Sequence, residues 1–362
     1  MQPTAATPTD AIAPLAGTDG PPLTLDESPA AGAWNAYVGG HAGGTFYHLH
    51  EWSGINRELF GHDSHLLTAR AGGRIAGVLP LTLVSSPVFG RILCSMPFVN
   101  YGGPLADGPD AAARLVARAR ELAATTRAKY LELRCPAALD TDIPASTRKI
   151  SMALSLQPDA EKLFEKYSSK HRTNIRRSFK NDLTVKSGGR DLLPQFYSVL
   201  EQSWHNLGTP LYRRAYFEKI LDTFPDNTRI FVCSQRGTPV AVAFNGEFNG
   251  IVEGMWAGGT PAARGLQANY ALYWEMIQDA CQRGFKRFHL GRSTADSGAE
   301  DFKKKWNAEA LQLYWYQHRP DGGAAPELNV DNPKYRMAIS AWRRMPLWMT
   351  RVLGPHIARG IP

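Results

Sequence analysis

A cluster of cations near the end of the sequence carries the clearest potential for chemistry. Residues 291–294 (GRST) follow an apolar, strand-like run at 285–290, and residues 301–306 (DFKKKW) come shortly afterwards. This order predicts that the cations lie at the end of a strand, beside a short loop. A lysine fixed there can stabilise the oxyanion that forms when an amine attacks an ester or thioester. A solvated basic turn is the alternative interpretation of three consecutive lysines.

A second cluster of cations lies between residues 162 and 180. These cations recur at spacings of three and four residues, so most of them can share one face of a helix. Such a face is either solvated or binds phosphate groups, because cations with little acidic compensation repel one another when no anion is present. The candidate phosphate contacts are Lys170, Arg172, Arg176 and Arg177.

The composition limits the classes of protein that fit. A chain of 362 residues exceeds the size of most single cores, so we expect two domains. The net charge of +8 favours anionic partners such as nucleic acid, phosphorylated substrates or acidic membranes. No apolar run is long enough to span a membrane, and residues 1–29 have the composition of a disordered tail. The four cysteines form no CxxC pair, so we expect no metal site, and a cytoplasmic location fits best.

The sequence contains the same elements twice, in the same order. Each half has a hairpin with a glycine turn, a glycine-glycine segment, a helix and a short strand, which indicates a duplication. In the first half these are residues 66–79, 100–104, 111–126 and 130–134, and in the second half residues 229–244, 255–259, 269–283 and 287–291.

This order of elements resembles that of GCN5-related N-acyltransferase (GNAT) domains. The resemblance implies an α+β fold with two tandem GNAT-like domains, each a mixed, splayed sheet flanked by helices. We expect the N-terminal domain at residues 30–150, the C-terminal domain at 151–320 and a basic amphipathic segment at 321–362. This last segment either docks on the fold or lies against an acidic membrane.

Acyl-CoA enzymes hold the donor pyrophosphate on a glycine-rich loop that opens the helix after the splayed strand. Neither half of this sequence has a convincing loop of that kind. The corresponding stretches are residues 262–269 (AARGLQAN) and residues 105–110 (LADGPD), of which the second is acidic and contains proline. We expect no resident cofactor. The donor co-substrate is open between aminoacyl-tRNA and acyl-CoA, and the missing loop and basic charge favour aminoacyl-tRNA.

Several short motifs together resemble the FemAB-like tandem-domain aminoacyltransferases, specifically the branch associated with exosortase/PEP-CTERM and exopolysaccharide genes. The resemblance covers residues 30 to 360, and no single motif is specific by itself. The motifs are residues 101–104 (YGGP), 170–177 (KHRTNIRR), 206–210 (NLGTP), 258–264 (GGTPAAR), 291–293 (GRS), 301–303 (DFK) and 332–336 (NPKYR).

The resemblance implies an activity and a set of site residues. Enzymes of this superfamily transfer amino acids from aminoacyl-tRNA to an amine on a cell-wall precursor. Their Phe-Lys pair corresponds to Phe302 and Lys303, with the lysine supporting the transition state and helping to place the tRNA end. Arg292 is the other catalytic candidate. The candidates for substrate binding beside the glycine-rich segments are Tyr101, Trp256 and Arg264.

Two functions of different classes fit these observations. The first is an acyltransferase that acylates an amine on a peptidoglycan-type or exopolysaccharide precursor, which could be lipid-linked. The second is a non-catalytic GNAT-fold protein that binds a glycan precursor or an assembly partner in an exopolysaccharide or exosortase system. Convergent cations at a strand end favour the enzyme, because a scaffold has no need of them. We expect a cytoplasmic protein, with peripheral contact at the inner face of the membrane as an open alternative.

Overall fold

The structure, a computed structural model, describes residues 22–87, 89–295, 297–323 and 333–362. In this part of the chain two mixed sheets are flanked by helices, and no helix is long and apolar enough to cross a membrane. Residues 1–21 of the predicted tail and Asn332 of the last motif lie outside the described residues. The predicted α+β architecture is confirmed.

The N-terminal half contains the predicted hairpin, helix and strand. Its turn residues Gly72 and Gly73 have φ angles of 55° and 83°, which glycine adopts without strain. The strands are β1 (Leu23–Asp26), β2 (Asp63–Ala71), β3 (Arg74–Ser86), β4 (Gly90–Cys94), β5 (Leu105–Ala106), β6 (Tyr130–Cys135) and β7 (Ala145–Ser146). The helices are α1 (Ala31–Gly40), α2 (Glu51–Phe60) and α3 (Pro109–Thr125).

The C-terminal half repeats this arrangement and adds further helices. The strands are β8 (Lys149–Ser155), β9 (Leu183–Gly188), β10 (Thr228–Gln235), β11 (Thr238–Phe248), β12 (Ile251–Gly259), β13 (Arg287–Thr294), β14 (Glu309–Gln312) and β15 (Tyr314–His318). The helices are α4 (Ala160–Glu165), α5 (Ser169–Phe179), α6 (Leu193–Leu207), α7 (Arg214–Thr223), α8 (Ala262–Gly265), α9 (Ala268–Gln282), α10 (Gly298–Lys304), α11 (Pro333–Arg344) and α12 (Leu347–Ala358).

The topology of the two sheets shows the duplication. The strand order is β1-β2-β3-β4-β6-β15-β7 in the first sheet, where β5 also pairs with β3, and β14-β8-β13-β12-β11-β10-β9 in the second. Each sheet contains one parallel pair, formed by residues 92–94 with 130–132 in the first and by residues 251–253 with 287–289 in the second. In both halves a hairpin precedes the pair, and a helix, α3 or α9, connects its two strands.

The predicted domain boundaries need two corrections. Residues 314–318 were assigned to the C-terminal domain, but β15 pairs with β6 of the first sheet. Because β14 belongs to the second sheet, the chain crosses between the sheets at the buried Leu313. A crossing of one residue has no signature in composition. Residues 23–26, predicted as part of the tail, form β1 and pair with β2.

In the first sheet, the chain itself fills the space beyond the parallel pair. The backbone N–H groups of Gly102 and Gly103 both donate to the carbonyl oxygen of Arg134, at 3.1 and 2.9 Å. A Cβ at position 103 would lie 2.4 Å from Cys135 Sγ, and a Cβ at position 102 would lie 2.4 Å from Met96 Cγ. Glycine is therefore required for this segment to pack against β6.

The two domains share an apolar core, which fixes their relative position. The ring of Phe46 lies 4.9 Å from that of Phe224, and the ring of Phe60 lies 4.8 Å from that of Tyr216. A Cβ at Gly246 would lie 2.4 Å from the Phe46 ring. Aromatic packing this close leaves little freedom for the sheets to move independently.

The C-terminal helices dock on α6. The ring nitrogen Nε2 of His205 hydrogen-bonds to the carbonyl oxygen of Met345 at 2.9 Å. Arg351 donates to both carboxylate oxygens of Glu201 at 2.7 Å, and Trp342 is buried. Of the two placements considered for this segment, the structure shows docking of one helix face.

The packing of the glycine segment can be tested by mutation. We expect Gly103→Ala to lower the free energy of unfolding by about 1–3 kcal/mol, because the added methyl group overpacks the contact with Cys135. Chemical denaturation measures this. Gly54→Ala is the matched control, since nothing lies within 4 Å of a Cβ at that position in α2. Equal stability of Gly103→Ala and wild type would contradict the packing described here.

Candidate functional site

In the second sheet, the strands of the parallel pair separate and the space between them stays open. Trp256 pairs with Phe244 and Gly254 pairs with Asn245, which leaves Met255 as the extra residue of a β-bulge in β12. The segment 255–259, predicted to match 100–104 of the first half, therefore belongs to a strand. In the first half the equivalent place is filled by irregular chain.

The partner strand β13 is also distorted at this point. Its register against β8 shifts between His289 and Arg292. Gly291, in the distorted stretch, has a φ of 81°, and a Cβ there would lie 2.8 Å from the carbonyl oxygen of Gly254. The GRS motif thus marks the place where β13 bends away from β12, and it directs the next side chain, Arg292, into the opening.

Lys303 lies in helix α10, which corrects the prediction of a loop for residues 301–304. Its Nζ atom donates to the carbonyl oxygens of Gly291 and Arg292, at 2.7 and 3.1 Å, and to Ser293 Oγ at 3.0 Å. The side chain is only 7% exposed. Burial, together with the charge of Arg292, lowers the pKa of Lys303 to about 8.

These contacts define what Lys303 can do. An ammonium group has three N–H donors, and all three are used by the distorted part of β13. Lys303 therefore holds the bend in place and brings a positive charge to the opening. Its three N–H donors are all bonded to β13, so none is left for a ligand. Of its neighbours, Lys304 pairs with Glu300 at 2.7 Å and Lys305 is exposed to solvent.

A cavity of about 330 Å³ occupies the opening between β12 and β13. We call it the splay cavity. Its walls are residues 254–257 of β12, residues 290–292 of β13, Tyr273 and Met276 of α9, and Lys303. Of the cations predicted to belong to the site, Arg292 and Lys303 line this cavity.

A second cavity, of about 270 Å³, lies between the two domains. We call it the interdomain cavity. The N-terminal domain contributes Tyr47 and Arg134 to its lining, α6 contributes Trp204, and α12 contributes Ala358. Four residues line both cavities and form the boundary between them: Asn100, Met255, Trp256 and Arg292.

Arg292 is the free cation of this boundary. Its guanidinium forms no hydrogen bond or ion pair with the described part of the chain, and its side chain is exposed to the cavities. It lies 5.0 Å from the centre of the Trp315 ring, and the guanidinium of Arg134 lies 4.4 Å from the same ring. The surrounding protein atoms and the charge of Arg134 lower the pKa of Arg292 to about 10, so it remains charged at neutral pH.

Tyr101 does not reach either cavity, which contradicts its prediction as a substrate contact. It is 2% exposed, its hydroxyl donates to the carboxylate of Glu253, and it lies 2.9 Å from His289 Nδ1. Because Glu253 and His289 belong to the second sheet, Tyr101 links the two domains beside the point where β12 and β13 separate. A large aromatic before a glycine pair gives no indication of such a polar link.

The predicted substrate contacts Trp256 and Arg264 and the predicted catalytic residue Phe302 differ in their placement. Trp256 lines both cavities. Phe302 does not line them but packs behind the splay cavity, with ring distances of 5.5 Å to Tyr270 and 5.2 Å to Tyr273. Arg264 is exposed in α8, away from the lining of both cavities.

The predicted basic helix is two helices, α4 and α5. The break comes at Ser168, whose Oγ accepts from the backbone N–H of His171 at 3.2 Å and so caps α5. Arg172 donates to the carbonyl oxygens of Glu165 and Tyr167 and joins the two helices. It is thus engaged in holding the chain, whereas Lys170, Arg176 and Arg177 are exposed.

None of these four cations lines a cavity, but α5 is connected to the splay cavity through aromatic packing. The buried His171 lies 4.4 Å from Trp306 and 5.4 Å from Tyr270, ring to ring, and Tyr270 contacts Phe302. The exposed cations of α5 therefore form a surface on the outside of the domain that carries the splay cavity.

Four residues at the site were missed in the sequence, for physical reasons. Arg134 and Glu253 each lie in a short apolar strand. Apart from their charge, nothing in the sequence indicates that they belong to the site. Trp315 enters the site through the unpredicted crossing of β15, and Asn100 through the irregular segment that precedes Gly102. Among the described residues no Asp or Glu side chain lines either cavity, and no group of His, Cys, Asp or Glu is arranged to hold a metal ion.

The environment of Lys303 predicts a pH effect on stability. Between a pKa of about 8 in the folded chain and about 10.4 in the unfolded chain, only the unfolded chain keeps this proton. The free energy of unfolding of wild type should therefore rise relative to that of Lys303→Met across this window, by about 2–3 kcal/mol. Denaturant titrations at a series of pH values measure the difference. Lys305→Met removes an exposed lysine nearby as the control, and a difference for Lys303→Met that stays constant with pH would refute the assignment.

Comparisons with known proteins agree with this geometry. Residues 169–304 match the family described as "Acetyltransferase (GNAT) domain". A stretch of 153 residues is 27% identical to UDP-N-acetylmuramoylpentapeptide-lysine N(6)-alanyltransferase from Weissella viridescens. That stretch is 41% of this chain and spans 45%, less than half, of the relative.

Solved structures match over most of the chain at low sequence identity. The crystal structure of FemX covers 81% of this chain and 97% of its own, with a TM-score of 0.61 and 13% identity. The structure of L-PGS from Bacillus licheniformis covers 88% of this chain and 99% of its own, with a TM-score of 0.52 and 14% identity. The chain therefore has a tandem GNAT fold, its residues 169–304 are similar to acetyltransferase (GNAT) domains, and a stretch of 153 residues is similar to a UDP-N-acetylmuramoylpentapeptide-lysine alanyltransferase.

Proposed function

We propose that the protein is an acyltransferase that moves an aminoacyl or acyl group to an amine on an envelope or exopolysaccharide precursor. The observation that carries this proposal is the meeting of two cavities at Arg292. One cavity lies in the splayed sheet, where GNAT domains hold an acyl donor, and the other lies between the domains. A donor in the first and an acceptor in the second would bring their reactive groups together at this boundary.

The reaction forms one bond and breaks one. The uncharged amine of the acceptor attacks the acyl carbon, and the bond between that carbon and the oxygen or sulfur of the donor breaks. The leaving oxygen or sulfur takes up the proton that the amine loses. Negative charge develops on the acyl oxygen during attack, and cations held nearby stabilise it. Arg292 has free N–H donors for this role, while Lys303 contributes its charge and holds β13 in its bent form.

The loop before α9 supports a donor other than CoA. In a pyrophosphate-binding loop the backbone N–H groups point at the ligand. Here the N–H groups of Ala263, Leu266 and Gln267 are bonded to carbonyl oxygens of residues 260–264 at 3.0–3.2 Å. Three amides of the loop before α9 are thus already bonded within the chain, and the exposed cations of α5 suit a long anionic donor. We therefore propose aminoacyl-tRNA, with Lys170, Arg176 and Arg177 as contacts to its phosphates.

The acceptor is proposed from the charge of the interdomain cavity and from the relative. Arg292, whose guanidinium has no ion-pair partner among the described residues, favours an anionic molecule there, and cell-envelope precursors commonly carry phosphate or carboxylate groups. The name of the Weissella viridescens relative gives the lysine N6 of a UDP-N-acetylmuramoyl pentapeptide as its acceptor. A precursor of this type, or an exopolysaccharide precursor of the exosortase-associated branch, is our proposal for this chain.

A non-catalytic role in binding a glycan precursor is the second candidate. The same interdomain cavity could bind such a precursor without transferring anything to it. The distorted β13, fixed by a buried lysine, favours the enzyme, because a binding protein would have no need to keep the second sheet open.

The test is a transfer assay with both donors. Purified protein is given labelled aminoacyl-tRNA or labelled acetyl-CoA, together with a pool of envelope precursors. We expect transfer from aminoacyl-tRNA that is abolished by RNase. Transfer from acetyl-CoA that is insensitive to RNase would show that the donor is acyl-CoA and not aminoacyl-tRNA, while acyl transfer itself would stand. Binding of precursors without transfer from either donor would favour the second candidate.

The same assay includes site variants. Arg292→Ala and Lys303→Met should each lower the turnover number on the order of a hundredfold, the effect of losing one group that stabilises an oxyanion. Lys305→Met is the control, since its side chain is exposed. Wild-type rates in Arg292→Ala would remove that residue from the mechanism.

The cations of α5 are tested separately through the salt dependence of tRNA binding. Arg176→Ala combined with Arg177→Ala should weaken tRNA binding and reduce the slope of log K against log salt by roughly one to two. The reason is that a complex with fewer phosphate contacts releases fewer counterions from the tRNA. Binding of deacylated tRNA at several salt concentrations measures this. Arg127→Ala, an exposed arginine of the N-terminal domain, is the control. An unchanged slope in the double variant would indicate a solvated surface.

A further inference from the structure

The outward side of α12 is apolar, although the helix lies on the surface of the molecule. Trp348 is 66% exposed, Val352 60%, Ile357 42% and Leu353 40%. Large apolar side chains with this exposure are ordinary when they are scattered, but here four occur within ten residues of one helix. The outward face is therefore suited to a contact that the described part of the chain does not supply.

The charge of the same region is one-sided. Residues 336–362 contain five arginines and no Asp or Glu. Arg351 is paired with Glu201, and Arg343 donates to the carbonyl oxygen of Leu207. The side chains of Arg344 and Arg359 are exposed at the two ends of the apolar face. The contact that this face fits is consequently both apolar and anionic.

The opposite side of α12 packs on the fold, and its C-terminal end borders the interdomain cavity. Thr350, Gly354 and Ala358 are buried, and Ala358 lines the cavity. A Cβ at Gly354 would lie 3.2 Å from the backbone of Leu211, so the helix is closely packed on the fold. One helix thus contacts the proposed acceptor site at the C-terminal end of its inner face, while its outer face is exposed.

We propose that the outer face of α12 binds the surface of an anionic lipid bilayer. A short amphipathic helix with Trp and Leu on one face and arginines beside them lies in the plane of the headgroups, with its apolar side chains among the acyl chain ends. The arginines add attraction to anionic lipids. The helix has twelve residues and lies along the membrane.

This surface also specifies the acceptor, a step that rests on the proposed function. Because α12 separates the bilayer from the interdomain cavity by the thickness of one helix, a precursor carried on a lipid could enter the cavity without leaving the membrane. The acceptor class that fits is a lipid-linked, anionic precursor with a free amine.

Vesicle binding tests the surface without any donor or acceptor, so its result is independent of the proposed activity. The full chain is sedimented with vesicles of phosphatidylcholine alone and with vesicles that also contain phosphatidylglycerol. We expect binding to the anionic vesicles, weakened by salt, and little binding to the neutral ones. Trp348→Ser combined with Val352→Ser should reduce binding at least about tenfold.

Two further variants complete the experiment. Leu25→Ser, at an exposed leucine of β1, is the matched control and should bind as wild type does. Arg344→Glu combined with Arg359→Glu keeps the apolar face and should lower binding to anionic vesicles by about tenfold or more, which covers the case in which the first pair fails to fold. No binding by wild type, or equal binding by all variants, would overturn the proposal. A wild-type dimer that the Trp348 and Val352 substitutions dissociate, without vesicle binding, would assign the face to a second copy of the chain.

Discussion

The separation of β12 from β13 is the constraint on which the rest of the site depends. Where two strands separate, their backbone N–H and C=O groups lose their hydrogen-bond partners. Such unpaired groups lower the stability of the fold unless other donors or acceptors reach them. Lys303 supplies three donors to the bent part of β13, and the left-handed Gly291 allows the bend itself. The lysine that the sequence marked for chemistry is therefore first a structural requirement for having a cavity at all. Burial of this ammonium group, together with the nearby charge of Arg292, lowers its pKa.

The two domains have the same topology but use it differently. In the N-terminal domain the space beyond the parallel pair is filled by the segment around Gly102 and Gly103, which hydrogen-bonds to Arg134. The same segment brings Asn100 and Tyr101 against the second sheet: the Asn100 amide donates to the Gly254 carbonyl oxygen of β12, and also to Tyr47 of its own domain. The segment that fills the opening of the first sheet thus also lines the splay cavity of the second sheet, through Asn100. This division of roles explains why the open splay cavity lies in the C-terminal domain.

Much of this fold could be predicted from the sequence, because hairpins with glycine turns, amphipathic helices and apolar strands are local patterns. Arg292 and Lys303 were both expected at the end of the strand at 285–290, and both line the splay cavity, although Lys303 reaches it from helix α10. Burial decided what could not be predicted. In the sequence Tyr101 resembles a residue that lines a cleft. In the structure its hydroxyl donates a hydrogen bond to Glu253, a buried carboxylate of the other domain. The division of the basic segment at Ser168 was hidden because a serine cap is visible only once the helix before it is known to end.

The crossing of β15 shows how closely the electrostatics of the site depend on the chain path. Trp315 follows the second sheet in sequence but pairs with Arg134 in the first, so its ring lies near two guanidinium groups from different domains. Two arginines in one cavity repel each other, and Arg134 is neutralised by Glu132 at 2.7 Å. The face of the indole ring is attractive to a cation and holds Arg292 without using its N–H donors. Arg292 is thereby kept in position and left free to hydrogen-bond, which is the state that a group awaiting an anion must have.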